Sequence, residues 1–208
     1  MRFYVKMKLL KAIRSFFMSK FFAFLNRMKY IKRWSLMRSV REENIMEHSQ
    51  EVAVVAHILA LINNKIFGGS ADAGKTVLLA QYHEVSEVIT GDLPTPIKYF
   101  NPEINTAYKE LEVIADKKLL AMLPEEFKED YEKIILPDTE SVEYKLVKIA
   151  DRLSAYLKCV EEVKAGNSEF KKAKASILAD VKSKNCKEAD YFLKTFAPAF
   201  ELTLDELD

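Results

Sequence analysis

Glycine and proline are scarce in this chain, 5 and 6 of its 208 residues. Sheets need frequent turns built on those residues, so their scarcity favours helices joined by short loops. Cysteine is scarcer still, with Cys159 and Cys186 alone. Two cysteines exclude a disulfide scaffold and are expected to be reduced thiols in a cytoplasmic protein. Excess charge of one sign is also missing: 32 Lys and Arg against 31 Asp and Glu leave +1. That balance makes no bulk electrostatic case for a nucleic acid polymer or a membrane surface as partner. No uninterrupted apolar run of about 18 residues occurs, so no spanning helix is expected.

What is present reads as helix. The opening stretch MRFYVKMKLLKAIRSFFMSKFFAF is basic and amphipathic, but Lys6, Lys8, Lys11, Arg14 and Lys20 break its apolar runs. Residues 1–17 are expected to be an N-terminal extension, outside the native start at Met18 or disordered, ahead of a single domain over 18–208. Apolar spacing predicts helices over 19–33, 47–66, 74–90, 103–122, 140–164, 168–183 and 187–195, with another starting at Pro124. Gly68-Gly69 ends the second of these. Gly91-Asp92-Leu93-Pro94-Thr95-Pro96 is expected to be an ordered loop, because two prolines fix φ and restrict their predecessors. No segment alternates as a strand would, and the fold class is all-α.

Several residue groups could carry chemistry. Gly69 to Thr76, GSADAGKT, matches the phosphate-binding pattern G-x-x-x-x-G-K-[ST]. That pattern works only where a buried strand feeds the loop, and here a helical segment precedes it, so it is read as a chance match. Of the three histidines, His48 and His57 lie nine residues apart, about 180° round a helix axis, and cannot share a site. His57, among Val54, Val55, Ala56, Ile58 and Leu59, is expected to be a core or helix-packing residue. His83, Glu84 and Glu87 stand in an apolar segment at spacings that share a helix face. Burying two carboxylates and an imidazole is costly, and a metal ion would offset that cost; a half-exposed helix with solvated carboxylates explains the spacing as well. Asp151 lies in a long apolar helix, where pairing with Lys148 or Arg152 is the simplest reading. Lys32-Arg33-Trp34 with Arg38 and Arg41 combines guanidinium forks suited to phosphate with a flat aromatic wall, or else forms a basic helix end with a core Trp.

Together, His48, His83-Glu84 and Asp151 follow the order H…HD…D. In the words IKRWSLMR, ENIMEHSQEVAVVAH, YHEVSEVITGDLPTPIKYF and ADRLSAYLKCVEE, the chain resembles the HD-domain phosphohydrolases, specifically the bacterial 5′-deoxynucleotidases of the YfbR type. The resemblance runs from about Met18 to the C-terminus. It implies an HD-domain helical bundle with one divalent metal ion (Co²⁺, Mn²⁺ or similar) on His48, His83, Glu84 and Asp151. It also implies Glu87 as the acid/base residue and Arg33 as the group that orients phosphate. Trp34 would crowd the sugar 2′ position, and Asp92, Leu93, Pro94 and Thr95 would line the nucleotide pocket beside Glu84 and Asp151. A cytoplasmic homodimer cleaving deoxynucleoside 5′-monophosphates to deoxynucleoside and phosphate follows from the same likeness. One position departs: the family pattern has Asp where this chain has Glu84. A Glu there preserves activity through another rotamer, changes metal preference, or leaves a nucleotide-binding pseudoenzyme. A deoxynucleoside triphosphohydrolase of the same fold and a P-loop kinase are the other readings.

Overall fold

A computed structural model describes residues 18–208; the N-terminal extension over 1–17 lies outside the described residues. The described residues are helical, with one isolated antiparallel bridge between Lys32 and Asn44 and no strand. The helices run α1 (Phe21–Leu25), α2 (Ile45–Phe67), α3 (Ala73–Tyr82), α4 (Glu87–Thr90), α5 (Thr95–Lys98), α6 (Pro102–Leu120), α7 (Glu125–Ile135), α8 (Val142–Lys164), α9 (Lys171–Ser183) and α10 (Lys187–Thr195). Short 3₁₀ turns supplement them.

The long helices α2 and α8, with α3, form the centre of the bundle. Val52, Ala56 and Leu59 of α2 pack with Leu79 and Ala80 of α3, with Leu146, Val147, Ala150 and Leu153 of α8, and with Phe192 of α10. A second apolar cluster, Phe21, Met28, Ile45, Val85, Leu119, Leu123 and Ile135, closes the other end. By length and composition α2 passes as a membrane span, with a mean hydropathy of 1.3 over its best window. More than half of that window is buried inside the bundle, so its apolar face is already used as core.

The start of α2 is fixed locally. The Asn44 side chain accepts hydrogen bonds from the backbone N–H groups of Met46 and Glu47, each at 3.0 Å, and Glu47 answers with a carboxylate toward the Asn44 N–H. This reciprocal box satisfies N–H groups that would otherwise lack partners, and it sets the register of His48 one turn on. Asn44→Ala should therefore lower the unfolding free energy by about 1 kcal/mol. A thermal melt should read this as a drop of roughly 2–4 °C; an unchanged melting temperature would show that packing alone sets the helix start.

The structure corrects several sequence expectations. The first predicted helix ends early: α1 gives way to a 3₁₀ turn over Asn26–Tyr30, and Arg33 and Trp34 stand on an irregular loop rather than at a basic helix end. His57 is exposed, because Val52, Ala53, Val55, Ala56 and Leu59 take the buried face and leave Val54 and His57 outside. The P-loop-like stretch caps helices, in agreement with its reading as a chance match. Gly68, at φ 66°, ends α2 in the left-handed conformation. A Cβ on Gly69 would strike the Asn63 side chain at 1.9 Å. The Asp72 carboxylate already caps the Lys75 amide at 2.9 Å, and Lys75 faces Glu143 at 3.6 Å. A carboxylate at that helix start repels phosphate. Thr95, placed in a loop by the sequence, begins the single turn α5.

Candidate active site

The predicted helix over 74–90 is interrupted at the point that matters. After Tyr82 the backbone tightens, with Val85 N–H bonded to Tyr82 C=O, Glu87 N–H to Glu84 C=O and Ile89 N–H to Ser86 C=O. Such i to i+3 bonding has about 3.0 residues per turn and brings side chains three apart into line. Glu84 and Glu87 are therefore held side by side, close enough for each carboxyl to perturb the other. Val85, fully packed in the second apolar cluster, anchors the turn on its other side.

His83 ends α3, and its Nδ1 lies 2.6 Å from the Ala80 carbonyl. A carbonyl accepts only, so Nδ1 carries a proton and Nε2 is the nitrogen available to a metal. That Nε2 is buried with no hydrogen-bond partner. His48, fully buried on α2, sits with its ring centroid 5.5 Å from that of His83. Its Nε2 contacts Asp151 Oδ1 of α8 at 3.0 Å, and its Nδ1 faces Glu43 Oε1 at 3.4 Å. Glu84 Oε1 lies 3.2 Å from His83 Nε2. One ligand atom from each of His48, His83, Glu84 and Asp151 lies within 4.8 Å of the others. Two imidazole nitrogens and two carboxylates, one nitrogen buried without a partner, suit a divalent transition metal. Asp151 is thus paired across the bundle with His48. The sequence reading offered Lys148 or Arg152; Arg152 instead meets Asp180 at 3.2 Å.

The electrostatics follow from burial and crowding. Burial raises the Asp151 carboxyl, but the imidazoles of His48 and His83 and the Arg33 guanidinium outweigh it and hold the group well below its ordinary value. Glu84 is lowered in the same contest, with His83 outweighing burial. Glu87 goes the other way: burial, then the Glu84 charge, push its carboxyl far up. Two adjacent carboxylates cannot both ionise out of water, so the one beside His83 keeps the charge and Glu87 keeps the proton. Arg33 is nearly buried, and the carboxylates of Asp151, Glu43, Glu84 and Asp92 outweigh burial in holding its charge. Burial raises Asp92.

The loop after α4 is tied down from α6, where the Tyr108 hydroxyl donates to the Gly91 carbonyl at 2.8 Å. Asp92, Leu93 and Pro94 are half-buried and Thr95 is exposed. The site thus draws on the loop before α2, on α2 itself, on the turn between α3 and α4, on the loop after α4, and on α8.

The sequence profile of the family described as 5′-deoxynucleotidase YfbR-like matches residues 20–200. A 5′-deoxynucleotidase of Vibrio vulnificus (strain YJ016) is 56% identical over 190 residues, covering 91% of this chain and 98% of its own. The 5′-deoxynucleotidase YfbR of Escherichia coli is 53% identical over 190 residues, covering 91% and 96%. This chain belongs to the YfbR-like 5′-deoxynucleotidase family. Among solved structures, a Listeria innocua HD-domain phosphohydrolase superposes with a TM-score of 0.75 at 24% identity, covering 87% of this chain and 88% of its own. A cyanophage S-2L HD phosphohydrolase, solved with dA and one catalytic Zn²⁺ ion, superposes at 0.62 with 18% identity, covering 87% and 96%. At those identities the two structures establish the HD-domain fold.

Within this YfbR-like site, sequence reasoning missed three groups. Glu43 is buried and touches Arg33, Trp34 and His48. Lys98 is clamped by Glu112 at 2.9 Å and lies 4.7 Å from the Tyr108 ring centroid. Asp116 of α6 is pushed up to about 7 by burial and by Glu112 and Glu84. None carries a local signal: Glu43 lies in an irregular loop, and the other two look like ordinary helix-surface charges.

Proposed function

We propose that this chain, read as one HD domain over 18–208, is a metal-dependent 5′-deoxynucleotidase that hydrolyses deoxynucleoside 5′-monophosphates to deoxynucleoside and phosphate. His48, His83, Glu84 and Asp151 hold one divalent ion, with Co²⁺ or Mn²⁺ as first candidates. The observation that carries the reading is the gathering of those four ligand atoms within 4.8 Å, Glu84 included. The extra methylene of Glu84 has not taken its carboxylate out of the cluster, which favours an active enzyme over a pseudoenzyme.

A divalent cation, when bound, polarises phosphoryl oxygens and acidifies water near neutral pH. Arg33 offers a guanidinium fork to the phosphate and offsets charge that builds on its oxygens. Glu87 holds a proton that it can give to the sugar 5′-oxygen as the phosphorus–oxygen bond breaks and water adds to phosphorus. Trp34 walls the sugar on its 2′ side and so selects deoxyribose. Asp92, Leu93, Pro94 and Thr95, with Glu84 and Asp151 at the floor, line the nucleotide pocket. A tethered loop suits that task because little entropy is lost on binding. The working form is a cytoplasmic homodimer with no nucleic acid polymer or membrane as partner.

The deciding experiment is phosphate release from a panel of deoxynucleoside and ribonucleoside monophosphates. Mn²⁺, Co²⁺ or chelator is added, with Glu84→Asp run beside the wild type. Metal-dependent release from the deoxy series alone supports the proposal. Release only by Glu84→Asp makes the natural chain a pseudoenzyme, and pyrophosphate or triphosphate release from triphosphates makes it a triphosphohydrolase.

A further inference from the structure

Glu43 is buried, and its carboxylate meets three functional groups at once. Oε2 accepts from the Trp34 indole Nε1–H at 2.8 Å and lies 3.5 Å from Arg33 Nε. Oε1 faces His48 Nδ1 at 3.4 Å, and both of those atoms are buried with no hydrogen-bond partner. The backbone holds this arrangement in register: Arg33 N–H donates to Glu43 C=O at 2.9 Å and Ile45 N–H to Ile31 C=O at 3.0 Å, on either side of the Lys32–Asn44 bridge. Trp34 itself is strained, with φ at 57°. A bulky side chain in the left-handed region costs on the order of 1–3 kcal/mol and persists only where its surroundings hold it. Here the indole is held by Glu43 on one side and by Phe170 on the other, with ring centroids 5.3 Å apart.

We propose that Glu43 is a positioning residue that couples the metal site to the substrate loop: one carboxylate orients His48 toward the ion and holds Arg33 and Trp34 in place. The proposal rests on the reading of His48 as a metal ligand. A metal-ligating imidazole with its second nitrogen on a carboxylate is fixed in tautomer and ring angle, and losing that partner typically weakens metal binding about 10–100-fold. The unusual feature is that the same carboxylate also carries the loop. Filling the metal site should therefore be felt at Trp34 before any nucleotide arrives.

Trp34 is the single tryptophan, so its emission has no background from other indoles. Zn²⁺ is the probe, being diamagnetic, and its affinity is measured by competition with a chromophoric chelator while indole emission is recorded, all without substrate. In the wild type, Zn²⁺ should shift the Trp34 emission. Glu43→Gln keeps the volume and one oxygen for the indole and Arg33, but turns an N–H₂ toward His48 Nδ1–H. It should melt as a folded protein, bind Zn²⁺ about 10–100-fold more weakly and lose the emission response. A folded Glu43→Gln variant with wild-type Zn²⁺ affinity overturns the proposal and leaves the metal reading standing. A wild type that does not bind Zn²⁺ overturns both. Should Glu43→Gln fail to fold, the wild-type emission decides alone, and an indole blind to Zn²⁺ at full occupancy overturns the coupling.

Discussion

Glu87→Gln should leave the fold and metal content intact and reduce phosphate release by about 10²–10⁴-fold, the range lost when a positioned proton donor is removed. Gln has the shape of the protonated carboxyl that Glu87 already is in the metal-free protein, so the substitution takes away the transferable proton and little else. The stability of that metal-free form gives a second readout. Because folding raises the Glu87 carboxyl above its ordinary value of 4.5, folding must take up a proton at any pH between the two values. Its contribution is full below the ordinary value and falls as pH rises toward the folded one. The Gln variant has no such loss, so chelator-treated Glu87→Gln should be more stable than wild type at pH 7 in a denaturant titration. A kcat within a few-fold of wild type would remove Glu87 from proton transfer, and a variant less stable than wild type at pH 7 would place the charge elsewhere in the pair.

Asp151→Asn is the companion experiment on the metal. Asn matches Asp in shape and can keep the 3.0 Å contact to His48 Nε2, so the bundle should survive. What goes is one of the two carboxylate charges in the ligand set. With it should go the ion and the several kcal/mol of charge stabilisation it brings, a loss on the order of 10³-fold in phosphate release or more. Metal content by elemental analysis and rate should fall together. A variant that holds a full equivalent of metal and turns over near the wild-type rate would put the ion on other ligands. The two experiments separate cleanly, because Glu87→Gln should keep metal and lose rate, whereas Asp151→Asn should lose both.

Glu84 shows how far a single substitution within a family pattern can be read from sequence. One additional methylene raises the question of whether the carboxylate still reaches the cluster, and nothing in the letters answers it. In the folded chain it does: a Glu84 oxygen lies within 4.8 Å of the ligand atoms of His48, His83 and Asp151. The tightened turn after Tyr82 holds Glu84 beside Glu87, and their proton affinities are driven apart. An α-helical reading of 74–90 already put Glu84 beside Glu87 on one face, but it did not show which of the two keeps the proton.

By itself the sequence determined the helical class, through scarce Gly and Pro and the 3.6-residue apolar spacing of α2, α6 and α8, because local propensity and burial patterns are encoded residue by residue. It also determined the family, through motif words within a resemblance that runs over nearly the whole chain. Only the tertiary structure decided what each isolated residue does. His48 and Asp151 lie 103 positions apart and meet across two helices. His57, with the more apolar neighbours, faces out. Glu43, silent in the sequence, joins a histidine, an arginine and a tryptophan. Those outcomes depend on which helix faces pack together, and a buried charge finds its partner only after that packing has excluded water.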